Sequence, residues 1–353
     1  MKRLDIIFAT LITAAFISVA LALTGCMPDT AERAAVAPPA TVATQANEAA
    51  QAQTAAPAAI RIGGLRGPTS MGMVKLLKDS EEGKSINTYE FTLAGSADEL
   101  TPKLIGGELD IAATPANLAS VLYNNTGGKI KLLAINTLGV LYIVEIGETV
   151  KTFADLRGKT IYATGRGSAP EYALNYLLKE NGMDPEKDVA VEWKAEPTEV
   201  VSLMAMNKNG IAMMPQPYVT VAQSAVENLR IAVDLTKEWD ALDNQSMLIT
   251  GVLAVRADFA RDYPDRIADF LDEYKASTEY VNANIKEASN LIEQYDIVKA
   301  AVAEKALPYC NIAFYAGDGM KTAMQGYLQV LYEQNPQSIG GSLPDDNFYY
   351  DAN

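Results

Sequence analysis

The 353-residue sequence contains no histidine. Histidine titrates near neutral pH and is the usual general base and the commonest metal ligand in proteins. Its absence removes the Ser–His–Asp arrangement and leaves a cysteine nucleophile without the base that would activate it. The composition therefore argues against most hydrolytic and metal-dependent enzymes and favours binding without catalysis.

Cysteine is nearly absent as well, since Cys26 and Cys310 are the only two. Cys26 lies beside a predicted cleavage point. The chain that follows it contains Cys310 as its only cysteine and therefore has no internal disulfide. Cys310 sits in the apolar run Leu307–Ile312. The run predicts a buried, unreactive thiol.

Positive charge is scarce relative to negative charge. The chain has 29 Lys and Arg against 44 Asp and Glu, a formal charge of -15. An acidic surface argues against nucleic acid or an anionic membrane surface as partner. Hydrophobic residues make up 49% of the chain, which is ample for a core, and the length allows about two domains.

The N-terminus has the pattern of an export signal. Lys2 and Arg3 precede the apolar stretch Ile6–Leu23, and Leu23-Thr24-Gly25-Cys26 follows. These four residues resemble the bacterial lipobox, which implies cleavage before Cys26 and lipidation of its thiol. We therefore predict a signal peptide over residues 1–25 and a protein anchored by lipid on the extracytoplasmic face of the cell membrane. The alternative is a transmembrane anchor with an incidental cysteine.

Residues 26–59 are predicted to be a lipidated cysteine followed by a disordered tether. The segment is rich in Ala, Thr, Gln and Pro and has almost no large apolar side chains. Such a composition buries too little surface to offset the entropy of ordering. The alternative is an alanine-rich helix over Ala43–Ala56.

From Ile60 onward, short β-branched or apolar runs alternate with helical patterns, which predicts α/β units around largely parallel sheets. The predicted strands are Ile60–Gly64, Tyr89–Leu93, Asp110–Ala113, Ile130–Ile135, Val140–Ile146, Thr160–Ala163, Val189–Trp193, Ile211–Met214, Leu229–Val233 and Gly251–Val255. After Pro264 the pattern predicts helices alone. They are Arg266–Asn284, Glu287–Tyr295, Ile297–Ala306 and Gly319–Tyr332.

Prolines mark the start of several predicted helices, because proline is preformed for the first helical turn. Pro68, Pro115 and Pro170 each follow a predicted strand. Ser168 and Glu171 have capping-box spacing, as do Ser96 and Glu99. The second of these helices has an alternative start at Thr101-Pro102.

Three further motifs carry a family resemblance. They are Leu93–Ser96 leading to Lys103–Ala112, then Phe153–Ile161, and Gly165–Ser168. Together with the lipobox, they resemble the substrate-binding lipoproteins of bacterial ABC importers, in the nitrate/sulfonate/taurine and thiamine-precursor-like group of type II periplasmic binding proteins. The resemblance covers about residues 60–332.

This resemblance implies two α/β lobes with a ligand cleft between them. We place lobe one at residues 60–138 and 253–353 and lobe two at residues 139–252. Crossovers are expected near Leu138-Gly139-Val140 and Ile249-Thr250-Gly251, with glycine absorbing backbone rotation. The implied function is capture of a small molecule and delivery to an ABC permease, with no catalytic residue, metal or cofactor.

Ligands of open α/β sheets bind beyond the carboxyl ends of the strands, where helix N-termini offer free amides. The predicted ligand-binding residues are Arg66, Thr69, Ser70, Gly95, Ser96, Thr114, Asn117, Gly165, Arg166, Gly167, Ser168 and Gln216. Their hydroxyl groups alternatively only cap their own helices. Arg66 and Arg166, one in each lobe, form a hypothetical clamp for an anion. The ligand is an oxyanion such as a sulfonate, or a heteroaromatic vitamin precursor.

Two other functions fit the same fold. One is a pyrimidine-synthesising enzyme of the thiamine pathway, whose relatives depend on histidine, which is absent here. The other is a sensory lipoprotein that signals occupancy to a partner.

Overall fold

The structure is a computed structural model that describes residues 59–207 and 209–351, and the strands in these residues form two separate sheets. The order in the six-stranded sheet is β11 (Ile312–Tyr315), β4 (Ile130–Leu138), β10 (Ile249–Arg256), β3 (Ile111–Pro115), β1 (Ile60–Leu65) and β2 (Tyr89–Ala94). The order in the five-stranded sheet is β7 (Ala190–Lys194), β6 (Thr160–Thr164), β8 (Gly210–Pro215), β5 (Leu141–Ile146) and β9 (Leu229–Asp234).

Most strands of each sheet run in one direction. In the six-stranded sheet β1, β2 and β3 are parallel, and β4 shares their direction because β10, between β3 and β4, is antiparallel to both. In the five-stranded sheet β5 is antiparallel to its neighbours β8 and β9, while β6 is parallel to β7 and β8. The predicted α/β class with two mainly parallel sheets is confirmed.

Helices flank both sheets. Their bounds are α1 (Pro68–Met71), α2 (Val74–Glu81), α3 (Ala97–Gly106), α4 (Ala116–Thr126), α5 (Ala169–Glu180), α6 (Pro197–Met206), α7 (Tyr218–Ala225), α8 (Leu235–Asp240), α9 (Ala257–Asp262), α10 (Pro264–Ala283), α11 (Ile285–Gln294), α12 (Ala300–Ala306) and α13 (Gly317–Gln334). Helices α10 and α11 pack on α2, while α13 contacts both β4 and α5. Helix α13 therefore touches both halves of the molecule.

The chain passes twice between the sheets. The first passage joins β4 to β5 through Gly139 and Val140, as predicted. The second runs from Asp234 through α8 to Ile249. It therefore precedes the Ile249-Thr250-Gly251 segment where we expected it. Residues 249–252, which lie in the predicted lobe two, belong to β10, whose Ile249, Gly251 and Val252 pair with β4 in the six-stranded sheet. The other lobe limits stay predictions.

Both glycines of the predicted crossovers are packed closely. A Cβ on Gly139 would lie 2.3 Å from Thr236 Oγ1, and one on Gly251 would lie 2.4 Å from Thr69 Cγ2. Contacts that short are not tolerated without movement of the neighbour. Close packing thus gives each glycine a structural role, and rotation about these points stays a prediction.

Sequence patterns located the strands well in the first part of the chain and less well after Pro264. Each of the ten predicted strands is present within about two to three residues of its expected ends. The prediction of helices alone after Pro264 was wrong, because β11 pairs with the edge of β4. Helix α3 starts at Ala97 and contains Pro102, so the alternative start at Thr101-Pro102 is wrong.

One apolar cluster continues from one half of the molecule to the other. It includes Ile135 of β4, Ile143 of β5 and Tyr327 of α13. The Trp239 ring lies 6.0 Å from the Tyr327 ring and 4.7 Å from the Tyr176 ring. Burial of this kind is the main favourable term in folding. Cys310 is fully buried, as predicted, and burial raises the pKa of its thiol to about 12.

Within the described part of the chain, none of the helices combines the length and hydropathy needed to cross a bilayer. The predicted signal peptide and lipidated Cys26 lie outside the described residues, as does nearly all of the predicted tether.

Candidate functional site

A cavity of about 260 Å³ lies where the two sheets and both passages between them meet. It is lined by Leu65, Arg66, Gly67, Pro68, Thr69, Pro115, Asn117, Val140, Leu141, Ala169, Pro170, Pro215, Leu248, Ile249, Thr250 and Tyr327. Ligand pockets for drug-sized molecules usually measure about 300–1,000 Å³. The cavity is therefore of a size for a smaller molecule.

The ends of strands build most of the cavity wall. Leu65, Pro115 and Pro215 are the last residues of β1, β3 and β8, which are carboxyl ends. Open α/β sheets bind ligands at such ends, because the helices that follow begin there. Ala169, the first residue of α5, contributes a helix start from the five-stranded side.

The turn from β1 into α1 brings backbone close to the cavity. Gly67 has φ 135°, a conformation that side chains other than glycine rarely adopt. Pro68 then opens α1 at its first position, as the sequence predicted. Thr69 follows on the cavity wall, and its backbone carbonyl accepts a hydrogen bond of 2.8 Å from Asn136 Nδ2. The turn is thus fixed from the six-stranded sheet.

Arg66 lies on the cavity wall but is bound to a distant turn. Its Nη2 donates to Asp296 Oδ2 at 2.8 Å, and its Nη1 donates to the Asp296 backbone carbonyl. Asp296 follows α11 and has a left-handed backbone with φ 57°. The hydrogen bond from the guanidinium lowers the pKa of the Asp296 carboxyl below its ordinary value. The pair thus places a positive and a negative charge together at the cavity edge.

Asn117, another of the predicted ligand-binding residues, also lies on the wall. Its Nδ2 donates to the Ser338 carbonyl at 2.9 Å, which positions the amide from the C-terminal segment. The Oδ1 atom of the same amide is a hydrogen-bond acceptor, and it takes no part in that hydrogen bond. Arg66, Thr69 and Asn117 are thus the predicted binding residues that the structure places directly on this cavity.

Three more predicted residues are buried next to the wall. The Ser70, Thr114 and Gln216 side chains are at most 2% exposed. Ser70 Oγ, Thr114 Oγ1 and Gln216 Nε2 have no hydrogen-bond partner among the described residues. Each residue adjoins a wall residue in sequence. A buried polar atom without a partner is costly, so unsatisfied groups of this kind call for an explanation.

Gln216 is held firmly on its acceptor side. Its Oε1 accepts a 2.9 Å hydrogen bond from Thr220 Oγ1, and its backbone N–H donates to the Val140 carbonyl at 2.9 Å. Since the oxygen is fixed toward Thr220, the unpartnered Nε2 retains its two donor hydrogens. An amide in this state is suited to donate to a hydrogen-bond acceptor.

The loop over residues 165–168 is held by its own contacts. Ser168 Oγ donates to the Gly165 carbonyl at 2.6 Å, and the Gly167 N–H donates to Glu171 at 2.5 Å. None of these three predicted residues lines the cavity, although Ala169 and Pro170 immediately after them do. The predicted capping box of Ser168 and Glu171 is not formed: Ser168 is the N-cap of α5, but its side chain makes no capping hydrogen bond, and Glu171 accepts from Gly167 instead.

Arg166, Gly95 and Ser96 lie elsewhere. Arg166 lines a different hollow of about 660 Å³, whose wall consists of residues 158–193. The structure therefore does not bring the two arginines of the hypothetical clamp onto one cavity. Gly95 and Ser96 are exposed, and the Ser96 N–H and Oγ both donate to Glu99 Oε1, as the capping-box spacing indicated.

Most wall residues were not predicted. Pro115, Ala169, Pro170 and Pro215 follow strands or open helices, so strand-end reasoning pointed to their neighbourhood. Ile249 and Thr250 belong to the predicted crossover, which carried no ligand role, and Leu248 lies immediately before it. Tyr327 had no local signal, because it lies in α13, far along the chain.

Two sheets joined by two passages, with a cavity at the carboxyl ends of their strands, define a two-lobed binding-protein fold. Residues 130–288 match the model of a family described as NMT1/THI5 like. The match runs from β4 into α11 and thus includes the whole five-stranded sheet. No curated protein matches the sequence.

Solved structures have the same fold. An ABC transporter protein from Parabacteroides distasonis has a TM-score of 0.70 and 24% identity, covering 84% of this chain and 99% of its own. The periplasmic aliphatic sulphonate binding protein SsuA from Escherichia coli has a TM-score of 0.66 and 15% identity, covering 84% and 93%. The desulfurization enzyme DszB has a TM-score of 0.55 and 11% identity, covering 78% and 92%. The chain thus has the two-lobed fold of ABC-importer binding proteins, which at least one enzyme shares.

Proposed function

We propose that this protein is an extracytoplasmic solute receptor that captures a small molecule and delivers it to the permease of an ABC importer. The observation that carries the proposal is the cavity at the junction of the two sheets, whose wall takes residues from both sheets and from both passages. A ligand there contacts both halves at once and favours the conformation in which they are together. A permease that recognises this conformation receives only loaded receptors.

The receptor is proposed to act without chemistry. The sequence has no histidine, and the cavity wall has Arg66 as its charged side chain, paired with Asp296. General acid–base catalysis is most efficient with a group whose pKa lies near the working pH. Tyr327 is the other titratable side chain among the described wall residues, and burial raises its pKa further from neutral pH. DszB shares the fold, so the enzyme alternative is represented among the solved structures. The ligand classes under consideration are an oxyanion, such as the sulphonates in the name of SsuA, and a heteroaromatic vitamin precursor.

A metabolite that occupies the cavity is expected to raise the melting temperature of the full chain. Ligand at about 100 times its dissociation constant adds about 2.7 kcal/mol to the free energy of unfolding. For a chain of this size the midpoint then rises by about 5 °C. A thermal-shift screen in mild detergent, over organic acids, sulfonates, amines and heteroaromatic compounds, measures this directly. If no compound moves the midpoint and none co-purifies, the receptor function is contradicted.

Export and anchoring are proposed to depend on Cys26. A thioether-linked lipid at this residue, with its acyl chains in the bilayer, holds the receptor near the permease. Replacement of Cys26 by serine is expected to abolish incorporation of an alkyne-tagged fatty acid into the protein. Cys310→Ser is the matched control, since it removes the other cysteine and leaves labelling intact. Full labelling of Cys26→Ser would contradict the lipoprotein assignment.

A further inference from the structure

The cavity wall has very little charge. Among the described residues that line it, Arg66 is the one with a charged side chain, and the others are aliphatic, proline, glycine, hydroxyl, amide or tyrosine. A lone arginine on such a wall would attract an anion, by the moderate amount expected of a half-exposed charge near the protein surface. Whether Arg66 is paired with an anionic side chain therefore decides the sign of the ligand charge that the cavity accepts.

Arg66 already has an anionic partner. Both of its Nη atoms donate to Asp296, one to the carboxylate and one to the backbone carbonyl. The Asp296 side chain is 80% exposed and that of Arg66 is 50% exposed, so the pair lies at the rim. An anion that approaches Arg66 must therefore also approach the Asp296 carboxylate, and this repulsion counteracts the attraction.

The other polar groups near the wall are neutral. Thr69, Asn117, Thr250 and Tyr327 on the wall carry hydroxyl or amide groups. Ser70, Thr114 and Gln216 are not on the wall but are adjacent to wall residues in sequence, and their buried polar atoms are also neutral. Hydroxyl and amide groups supply dipoles that pair with the hydrogen-bonding atoms of an uncharged molecule. A full negative charge in the same apolar surroundings would lose its hydration with little in return.

We propose that the cavity selects uncharged small molecules with hydrogen-bonding groups, and that Asp296 sets this preference by neutralising Arg66. The inference rests on the proposed binding function and adds to it a specificity-determining residue at the rim. Asp296 lies 230 positions from Arg66 in sequence and is itself outside the cavity wall.

Matched pairs of ligands test the charge preference. A sulfonate and the primary sulfonamide of the same carbon skeleton share a sulfonyl group, and only the sulfonate is charged at neutral pH. Ethane, butane and benzene pairs are titrated by calorimetry into the full chain in mild detergent. Wild-type protein is expected to bind each sulfonamide roughly tenfold more tightly than its sulfonate, because the anion must be desolvated beside a paired arginine.

Asp296→Asn removes the opposing charge while keeping the shape of the side chain. Sulfonate affinity is expected to rise by about threefold to tenfold, as for a charge near a protein surface, while sulfonamide affinity stays unchanged. The gain should shrink at about 0.5 M salt, which a purely structural effect of the substitution would not do. Glu287→Gln, on an exposed position of α11, is the matched control for loss of one negative charge, and it should leave both affinities unchanged.

Three outcomes overturn the proposal: tighter binding of the sulfonates by wild-type protein, an unchanged affinity ratio in Asp296→Asn, or no binding of any pair. The proposed receptor function is judged separately by the metabolite screen. If charged metabolites stabilise the chain there, the receptor stands and only the charge selection is lost.

Discussion

Replacement of Thr250 by tryptophan is expected to abolish solute binding. Thr250 lines the cavity and is half-buried near the start of β10, so an indole at this position occupies space that the ligand needs. In a cavity of about 260 Å³, the affinity should fall about 100-fold or more, equivalent to about 2.7 kcal/mol. Calorimetric titration with a compound from the metabolite screen measures the loss.

The matched control for this variant is Thr198→Trp. Thr198 is exposed in the first turn of α6 and is not part of the cavity wall, so the same substitution there should leave affinity unchanged. Overpacking of a core costs about 1–3 kcal/mol, so the melting midpoint of Thr250→Trp shows whether the chain is still folded. Wild-type affinity in a folded Thr250→Trp protein would place the solute somewhere other than this cavity.

Trp239→Ala is expected to cause the largest loss of stability. The side chain is fully buried, its ring lies between the rings of Tyr176 and Tyr327, and its Nε1 donates to Ser246 Oγ at 2.9 Å. Truncation of a buried tryptophan costs about 3–5 kcal/mol, because the cavity left behind closes only in part. Chemical denaturation followed by circular dichroism measures the change in the free energy of unfolding.

Two variants separate the causes of this loss. Trp239→Phe keeps an aromatic ring in the cluster and removes the hydrogen bond, so it should retain most of the stability. Trp193→Ala truncates the only other tryptophan, which is half-buried, and should cost clearly less. Equal losses in Trp239→Ala and Trp193→Ala would mean that the aromatic cluster around Tyr327 contributes little to holding the two halves together.

Local patterns predicted the elements because each depends on neighbours in sequence. The run at Ile60–Leu65 has isoleucine at alternate positions 60 and 62, and Ser168 precedes a helix that begins at Ala169. Strand β11 was missed, since four residues of an edge strand carry too weak a pattern and are fixed by pairing with β4. The predicted second crossover, at Ile249-Thr250-Gly251, lies later in the chain than the observed passage between the sheets. Nothing in the local sequence marks the residue at which β10 enters its sheet.

The residues of the cavity wall were predicted less evenly. Strand-end reasoning selected Arg66, Thr69 and Asn117, which line the cavity, since strand ends in one sheet lie on one edge. It could not separate them from Ser96 and Ser168, whose side chains bond within their own turns. Caps and ligand contacts use the same residue types, and only tertiary position distinguishes them.

The sequence by itself was enough to predict ten of the eleven strands in the described residues, several helix starts and, as a hypothesis still to be tested, an export signal, because each is a local or compositional property. The tertiary structure decided which of these parts meet. It inserted β5 and β10 antiparallel among parallel strands, brought Tyr327 to the same cavity as Leu65, and paired Arg66 with Asp296. Contacts over such separations depend on how the whole core packs, and no window of neighbouring residues encodes them.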